Sequence, residues 1–306
     1  MRKVWNGSQP SSTPVFSFFI INKQAVNQHR TPTVLLYKVL CVTMERCSTQ
    51  VSRKVDKNAQ EENVTLHGSV VWLTVYKRIG IIGGLSPEST TLYYQHIIRR
   101  YYEVFGTHSY PEIIIYSVNF QQYITWAYEE QWPAVAEALL DLLTRLQRAG
   151  ADFAVIACNT LHVVFDQVQR SSPIPLLSII DATAEKIIKE GIDTVGLLGT
   201  SFTMEHKFYR DGLARHGIGV LTPNKTSREY LDKIILNELS IGIINPETRT
   251  KALTIIDELV TEGAKGIVLG CTELPLLLTS HPNYMLFDTA SIHAEKTLQY
   301  AVRTLD

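Results

Sequence analysis

Cysteine is scarce in this chain of 306 residues: Cys41, Cys47, Cys158 and Cys271 are all there are, and no two of them stand in C-x-x-C spacing. That excludes a zinc ribbon and a disulfide-stapled mini-domain, and reduced thiols in an intracellular protein are the better reading. Long apolar runs are missing too. Stretches such as Val34 to Leu40 and Ile113 to Val118 fall far short of the roughly 20 residues that a membrane helix needs, so no membrane partner is expected. Aromatic residues are 9% and charged residues 19% of the chain, against 45% hydrophobic, which excludes the disordered and fibrous classes. There is no Walker motif, no G-x-G-x-x-G and no metal-ligand cluster, so the site is expected to need neither metal nor other cofactor.

Acidic residues are absent from Met1 to Met44, a stretch that carries Arg2, Lys3, Lys23, Arg30 and Lys38 with several serines. An organelle transit peptide has this composition, and an upstream extension without function explains it equally well. Residues 1–75 hold nine Lys/Arg against four Asp/Glu, a net +5, leaving twenty against twenty-six, a net −6, for residues 76–306. The acidic body should not favour nucleic acid. With no sustained period in it, 1–75 reads as a poorly structured N-terminal extension or targeting segment. Lys54 to Asn63 reads as a linker and Val70 to Val75 as a possible strand. The expected location is cytoplasmic, or an organelle if 1–44 acts as a transit peptide.

From Arg78 the chain has α/β grammar. Ile79 to Gly84 is a short apolar run ending in glycines, and Ser86 with Pro87 opens a helix carrying Leu92, Tyr93, Ile97 and Tyr101 near one face. Tyr93, Tyr94, Tyr101 and Tyr102 read as an aromatic stripe, core or dimer interface. Glu112 to Val118 reads as a buried strand, Ala134 to Arg148 as a helix stopped by Gly150, and Ala151 to Ala157 as a strand ending at Cys158. The same grammar returns with Thr194 to Thr200 as strand and turn and Met204 to Arg215 as a helix. Gly80 matches Gly196 at an offset of 116, and Gly150-Ala151 to Cys158 matches Gly263-Ala264 to Cys271 at 113. After each cysteine an apolar strand with an aspartate follows, Ile179 to Thr183 and Leu286 to Ala290. The repeat predicts an α/β fold of two pseudosymmetric domains, each a parallel sheet flanked by helices.

In such sheets ligands bind beyond the carboxyl ends of the strands, where both Cys158 and Cys271 fall. A single cysteine there reads most simply as a small buried hydrophobe. Two in equivalent positions, each followed by polar side chains (Asn159-Thr160 and Thr272-Glu273), suit a different role. One thiolate takes a proton from a carbon while the other thiol returns one to the opposite face, inverting the stereocentre. A helix start or a cation should lower one thiol's pKa, and capped helix starts near Ser86 and Thr203 offer N–H groups to a developing enolate.

These residues resemble the aspartate/glutamate racemases that work without pyridoxal phosphate. The likeness runs from about Arg78 to the end and is carried by Ile81 to Thr90, Ala157-Cys158-Asn159-Thr160-Leu161-His162, Leu198-Gly199-Thr200 with Thr203-Met204, Gly270-Cys271-Thr272-Glu273-Leu274 and Phe287-Asp288-Thr289-Ala290. It implies domains over 76–182 and 183–290, with a C-terminal helix over 291–306 packing on the first, and an active site in the cleft between them, often in a homodimer. It implies Cys158 and Cys271 as the catalytic acid/bases. Ser86, Asn159, Thr160, Thr200, Thr272 and Glu273 would then bind the small-molecule amino acid, or cap turns, and Arg228 would meet a side-chain carboxylate, or be a solvated arginine. His162 would tune Cys158 or be structural. Gly84-Leu85-Ser86 and Glu273 are more similar to the aspartate racemase and broad-specificity branch than to the cell-wall glutamate racemases. Aspartate or glutamate is the expected substrate, with hydantoin racemase, maleate isomerase or a non-catalytic binding paralogue as alternatives.

Overall fold

The computed structural model describes residues 76–302 in full and, before them, the backbone of five short strands. The chain divides into two compact units, Met1–Thr74 and Val75–Asp306. In the first, β1 (Ile20–Lys23) pairs antiparallel with β2 (Tyr37–Leu40), and β4 (Glu61–Leu66) pairs antiparallel with β3 (Arg53–Lys54) and β5 (Ser69–Thr74). The expected linker over Lys54 to Asn63 therefore meets strand backbone at both of its ends. The rest of the arm, with most of the transit-peptide reading, lies outside the described residues.

The second unit runs β6 (Ile79–Gly83), α1 (Pro87–Phe105), β7 (Ile113–Ser117), α2 (Phe120–Tyr128), α3 (Trp132–Ala149), β8 (Phe153–Ile156), α4 (Phe165–Ser171), β9 (Leu176–Leu177) and α5 (Ile179–Lys189). It then repeats as β10 (Thr194–Leu198), α6 (Ser201–Glu205), α7 (Lys207–Ala214), β11 (Gly219–Leu221), α8 (Lys225–Asn237), α9 (Pro246–Thr261), β12 (Gly266–Leu269), α10 (Leu274–Leu277), β13 (Met285–Asp288) and α11 (Thr289–Val302). Both sheets are parallel, with the same order: β7-β6-β8-β9 and β11-β10-β12-β13. The register carries the repeat at its sequence offsets, since Gly80 stands opposite Ala154 and Gly196 opposite Ile267.

Side-chain alternation sorts the first sheet's two faces. Ile79 and Ile81 pack with Tyr93, Ile97 and Tyr101 of α1 and with Ala294 and Leu298 of α11, while Ile82 packs with Leu139, Leu143 and Leu146 of α3. Gly150 ends α3 at a φ of 102°, a conformation that glycine takes without strain. The last helix, which follows β13 of the second sheet, returns to the first: Tyr93 Oη donates to His293 Nδ1 at 2.7 Å, and His293 Nε2 meets the Leu177 carbonyl at 3.2 Å.

Four sequence expectations change. Ile179 to Thr183 is not a strand. Ser178 accepts the Asp181 N–H and caps α5, so Ile179 and Ile180 are buried as helix residues, and the strand is Leu176–Leu177. A short apolar run has no period by which to tell the two apart. The true partner of Asp288, which caps α11 through the Ala290 and Ser291 N–H groups, is thus Ser178 and not Asp181. Met204 to Arg215 breaks at His206, whose ψ of 143° separates α6 from α7. The strand β7 is an edge, and Ile115 is 39% exposed. The tyrosines of α1 divide, Tyr93 and Tyr101 inward and Tyr94 and Tyr102 outward.

Burial holds two histidines neutral. The pKa of His162 is pushed down to about 4, and that of His293 to about 3, by burial, which disfavours the imidazolium. Both values lie below the ordinary 6.5, so the unfolded chain binds more protons than the folded one on the acid side of that value. Stability is therefore expected to fall as pH drops from about 6.5 to about 4, with close to two protons taken up on unfolding near pH 5 and fewer as His162 itself begins to charge. Urea denaturation across that range checks it, and His293→Gln should flatten the slope.

Candidate active site

Each thiol stands two residues beyond a fully buried strand, Cys158 after β8 and Cys271 after β12. Corresponding main-chain bonds hold the chain just before them. Ala157 N–H donates to the Ile82 carbonyl at 2.9 Å, and Gly270 N–H donates to the Leu198 carbonyl at 2.7 Å. Both cysteines are free and half-buried, and charge on Cys158 pushes up the Cys271 thiol, so the two sulfurs share one electrostatic environment.

The first sheet delivers Ser86 by a tight turn. Gly84 has a φ of 80°, and a Cβ there would stand 2.6 Å from the Val118 nitrogen, so only glycine fits. Ser86 caps α1, accepting the Ser89 N–H at 3.4 Å as expected, while its own hydroxyl donates to Glu273 Oε1 at 2.7 Å. On Glu273 Oε2 converge the Cys271 thiol and the Thr272 hydroxyl, each at 2.9 Å. Glu273, expected to meet the substrate, is thus buried and occupied by three protein donors. A second bridge joins the halves where Asn159 Nδ2 donates to Thr289 Oγ1 at 3.0 Å, and Thr289 donates in turn to the Leu269 carbonyl at 2.9 Å. Asn159 Oδ1 is buried and has no partner among the described residues. That leaves an acceptor whose desolvation is uncompensated.

The two sulfurs have the same kinds of neighbour in different balance. Around Cys158 the backbone N–H groups of Leu161 and Thr160 and the Thr160 hydroxyl favour the thiolate, yet burial, joined by the charge of Glu273, outweighs them and pushes the thiol up to about 11. Around Cys271, burial acts together with the Glu273 carboxylate bonded to it, against the Glu273 N–H alone, and pushes the thiol well above its ordinary value. The expected lowering of one thiol is therefore not met, because desolvation exceeds the pull of the donors.

The other expected residues are placed as follows. Thr200 caps α6, accepting the Thr203 N–H at 3.4 Å, so the helix start expected near Thr203 lies at Thr200. Arg228 pairs with Glu205 at 3.1 Å and donates to the Pro223 carbonyl at 2.7 Å, and among the described residues no contact joins it to a thiol. His162 Nδ1 bonds the Cys158 backbone carbonyl at 2.8 Å, and Nε2 accepts the Ile179 N–H at 3.1 Å, so the ring ties β8 to α5 and leaves the sulfur alone. Thr289 was missed as a site residue, although the Asp-Thr-Ala motif contains it. Its role depends on a contact 130 positions away. Among the described residues no group of His, Cys, Asp and Glu could hold a metal, and no helix is long and apolar enough to cross a membrane. An open groove of about 600 Å³ runs along the outer face of α1 and reaches Thr272 and Leu276, but neither thiol lines it.

A sequence model of the Asp/Glu/Hydantoin racemase family matches residues 82–297, and the chain belongs to that family. It is 27% identical over 207 residues to a broad-specificity amino-acid racemase of Bacillus subtilis, covering 65% of this chain and 87% of that one. It is 41% identical to an aspartate racemase homologue of Pyrococcus horikoshii whose solved structure it matches with a TM-score of 0.66, over 74% of this chain and 99% of that one. The aspartate racemase of Picrophilus torridus, at 23% identity and a TM-score of 0.58 over 74% and 94%, shares the fold.

The bridge between the halves can be broken without changing volume. Thr289→Val leaves Asn159 Nδ2 unpaired in a buried place, and a loss of about 1–3 kcal/mol is expected in urea unfolding.

Proposed function

We propose that this protein is a cofactor-independent amino-acid racemase that interconverts L- and D-aspartate, or glutamate, with Cys158 and Cys271 as its two acid/bases. The observation that carries the reading is the pair of thiols at equivalent strand ends, one met by three donors and the other bonded directly to a carboxylate. The family membership and the likeness to an aspartate racemase homologue support it.

The asymmetry assigns the starting roles. Cys158, faced by N–H and hydroxyl donors, is the thiolate that takes the Cα proton, and Cys271, held by Glu273, is the thiol that protonates the opposite face. The bound amino acid brings its own ammonium, a positive charge that lowers both thiols. Asn159 Oδ1, buried and without a partner among the described residues, suits that ammonium, while the Thr200 hydroxyl, whose proton is committed neither to Glu273 nor to Cys158, serves the α-carboxylate onto which the carbanion's charge spreads; the Thr160 and Thr272 hydroxyls act on the thiol side, through Cys158 and Glu273. A side-chain carboxylate would compete with Glu205 for Arg228, so affinity for acidic substrates depends on how far that pair opens.

Proton NMR of the D and L forms of aspartate and glutamate in deuterated water is the direct test. Loss of the Cα proton with inversion is expected from the unaltered chain, with inversion lost from Cys158→Ser and from Cys271→Ser. Inversion by the double variant would sink the two-thiol mechanism. Because kcat/KM reports the free protein, whose Cys158 titrates at about 11, it is expected to rise close to tenfold per pH unit from about pH 7 to 9. A flat profile would place the working base elsewhere.

A further inference from the structure

The Glu273 side chain belongs to a residue only 7% exposed, yet three protons meet its two oxygens: those of Ser86, Cys271 and Thr272. The Ser86 oxygen already accepts the Ser89 N–H, so its proton is free for Glu273. A carboxylate accepts in all three contacts, and the Cys271 sulfur fills its place only as S–H. Losing that proton would set a thiolate 2.9 Å from a carboxylate, a like-charge contact that burial leaves poorly screened. Cys158 has the Thr160 hydroxyl, a donor, in the place where Cys271 has the Glu273 carboxylate. Thr272 adds a further element, because it also lines the open groove along α1. A hydrogen-bonded line thus runs from the Cys271 sulfur through Glu273 and Thr272 to solvent.

We infer that Glu273 is a positioning residue that holds Cys271 in its protonated form and, with Thr272, returns a proton to it after each turnover. This rests on the racemase reading above. When Cys271 protonates the substrate carbon, its S–H bond breaks, a C–H bond forms and a thiolate faces Glu273. Groove water then gives a proton to Thr272 while the Thr272 proton moves to Glu273, and Glu273 passes a proton to sulfur. The hydroxide left in the groove is neutralised by the proton that Cys158 releases to solvent. The starting state is restored without a turnover in the reverse direction.

The test reads the thiol itself, in the full chain carrying Cys158→Ser, which removes a second titratable group that raises Cys271 beside Glu273. Iodoacetamide alkylation of the Cys271 peptide is followed by mass spectrometry against pH, with Glu273 intact, as Glu273→Gln and as Glu273→Asp. The Gln variant is expected to titrate at least about one pH unit lower, alkylating about tenfold faster near pH 8, and the Asp variant is expected to return toward the parent. An unmoved midpoint overturns the inference. So does equal alkylation of the Gln and Asp variants, which marks a loosened fold and not a lost charge.

With both cysteines present, Glu273→Gln is expected to raise the ratio of Cα–H exchange to inversion about tenfold, because Cys158 still exchanges on its own face while Cys271 lacks a proton to give. Equal loss of exchange and inversion counts against the relay. If the unaltered chain neither exchanges nor inverts any amino acid, the racemase reading fails by itself, and the alkylation profile still decides the role of Glu273.

Discussion

The Ala157 N–H to Ile82 bond and the Gly270 N–H to Leu198 bond close the last rung of each parallel ladder, and a cysteine follows each at once. A rung so placed fixes the direction in which the chain leaves the sheet, and with it the thiol. Everything else around the sulfurs is built onto that constraint. The strands behind are fully buried, so the rung cannot slide by one residue without turning Ile79 and Ile81 off the face they share with α1 and α11. Repeating one rung in two halves brings two thiols into a common environment.

Burial of polar groups at such a place is costly, and the chain meets that cost by pairing across the halves. Ser86 reaches Glu273, and Asn159 reaches Thr289, so groups that would be orphaned in either half alone are satisfied by the other. The same pairings set the signs of the local field. More donors gather on Cys158, while the Glu273 carboxylate, whose charge reaches both sulfurs, bonds only Cys271, so two chemically identical side chains are made unequal by their neighbours. Asn159 Oδ1 stays buried without a partner among the described residues.

Much of this was legible in the residues. The leucine spacing of α3, the Ser-Pro start of α1 and the glycine at 150 are local signals read by local rules, and each element lies where those signals put it. The repeat was legible for the same reason, because an offset between two segments is a property of the sequence itself. What failed was local in a different sense. Ile179 and Ile180 are apolar in either a strand or a helix, and only the Ser178 cap decides between them. The break at His206 leaves no mark in composition, and the edge position of β7 depends on a neighbour that is missing from one side.

The sequence by itself determined the α/β grammar, its duplication and the two cysteines with their polar followers, because helix and strand periods, caps and offsets are all short-range. The tertiary structure alone decided which groups touch the thiols. Glu273 is two residues from Cys271, a spacing that says nothing of direction, and it faces the sulfur because Ser86, 187 positions earlier, holds its other oxygen. Arg228 pairs with Glu205, 23 positions earlier, a contact that the residues around Arg228 do not disclose. Charge, burial and partner are properties of a place in space, and a place in space is made by segments far apart in the chain.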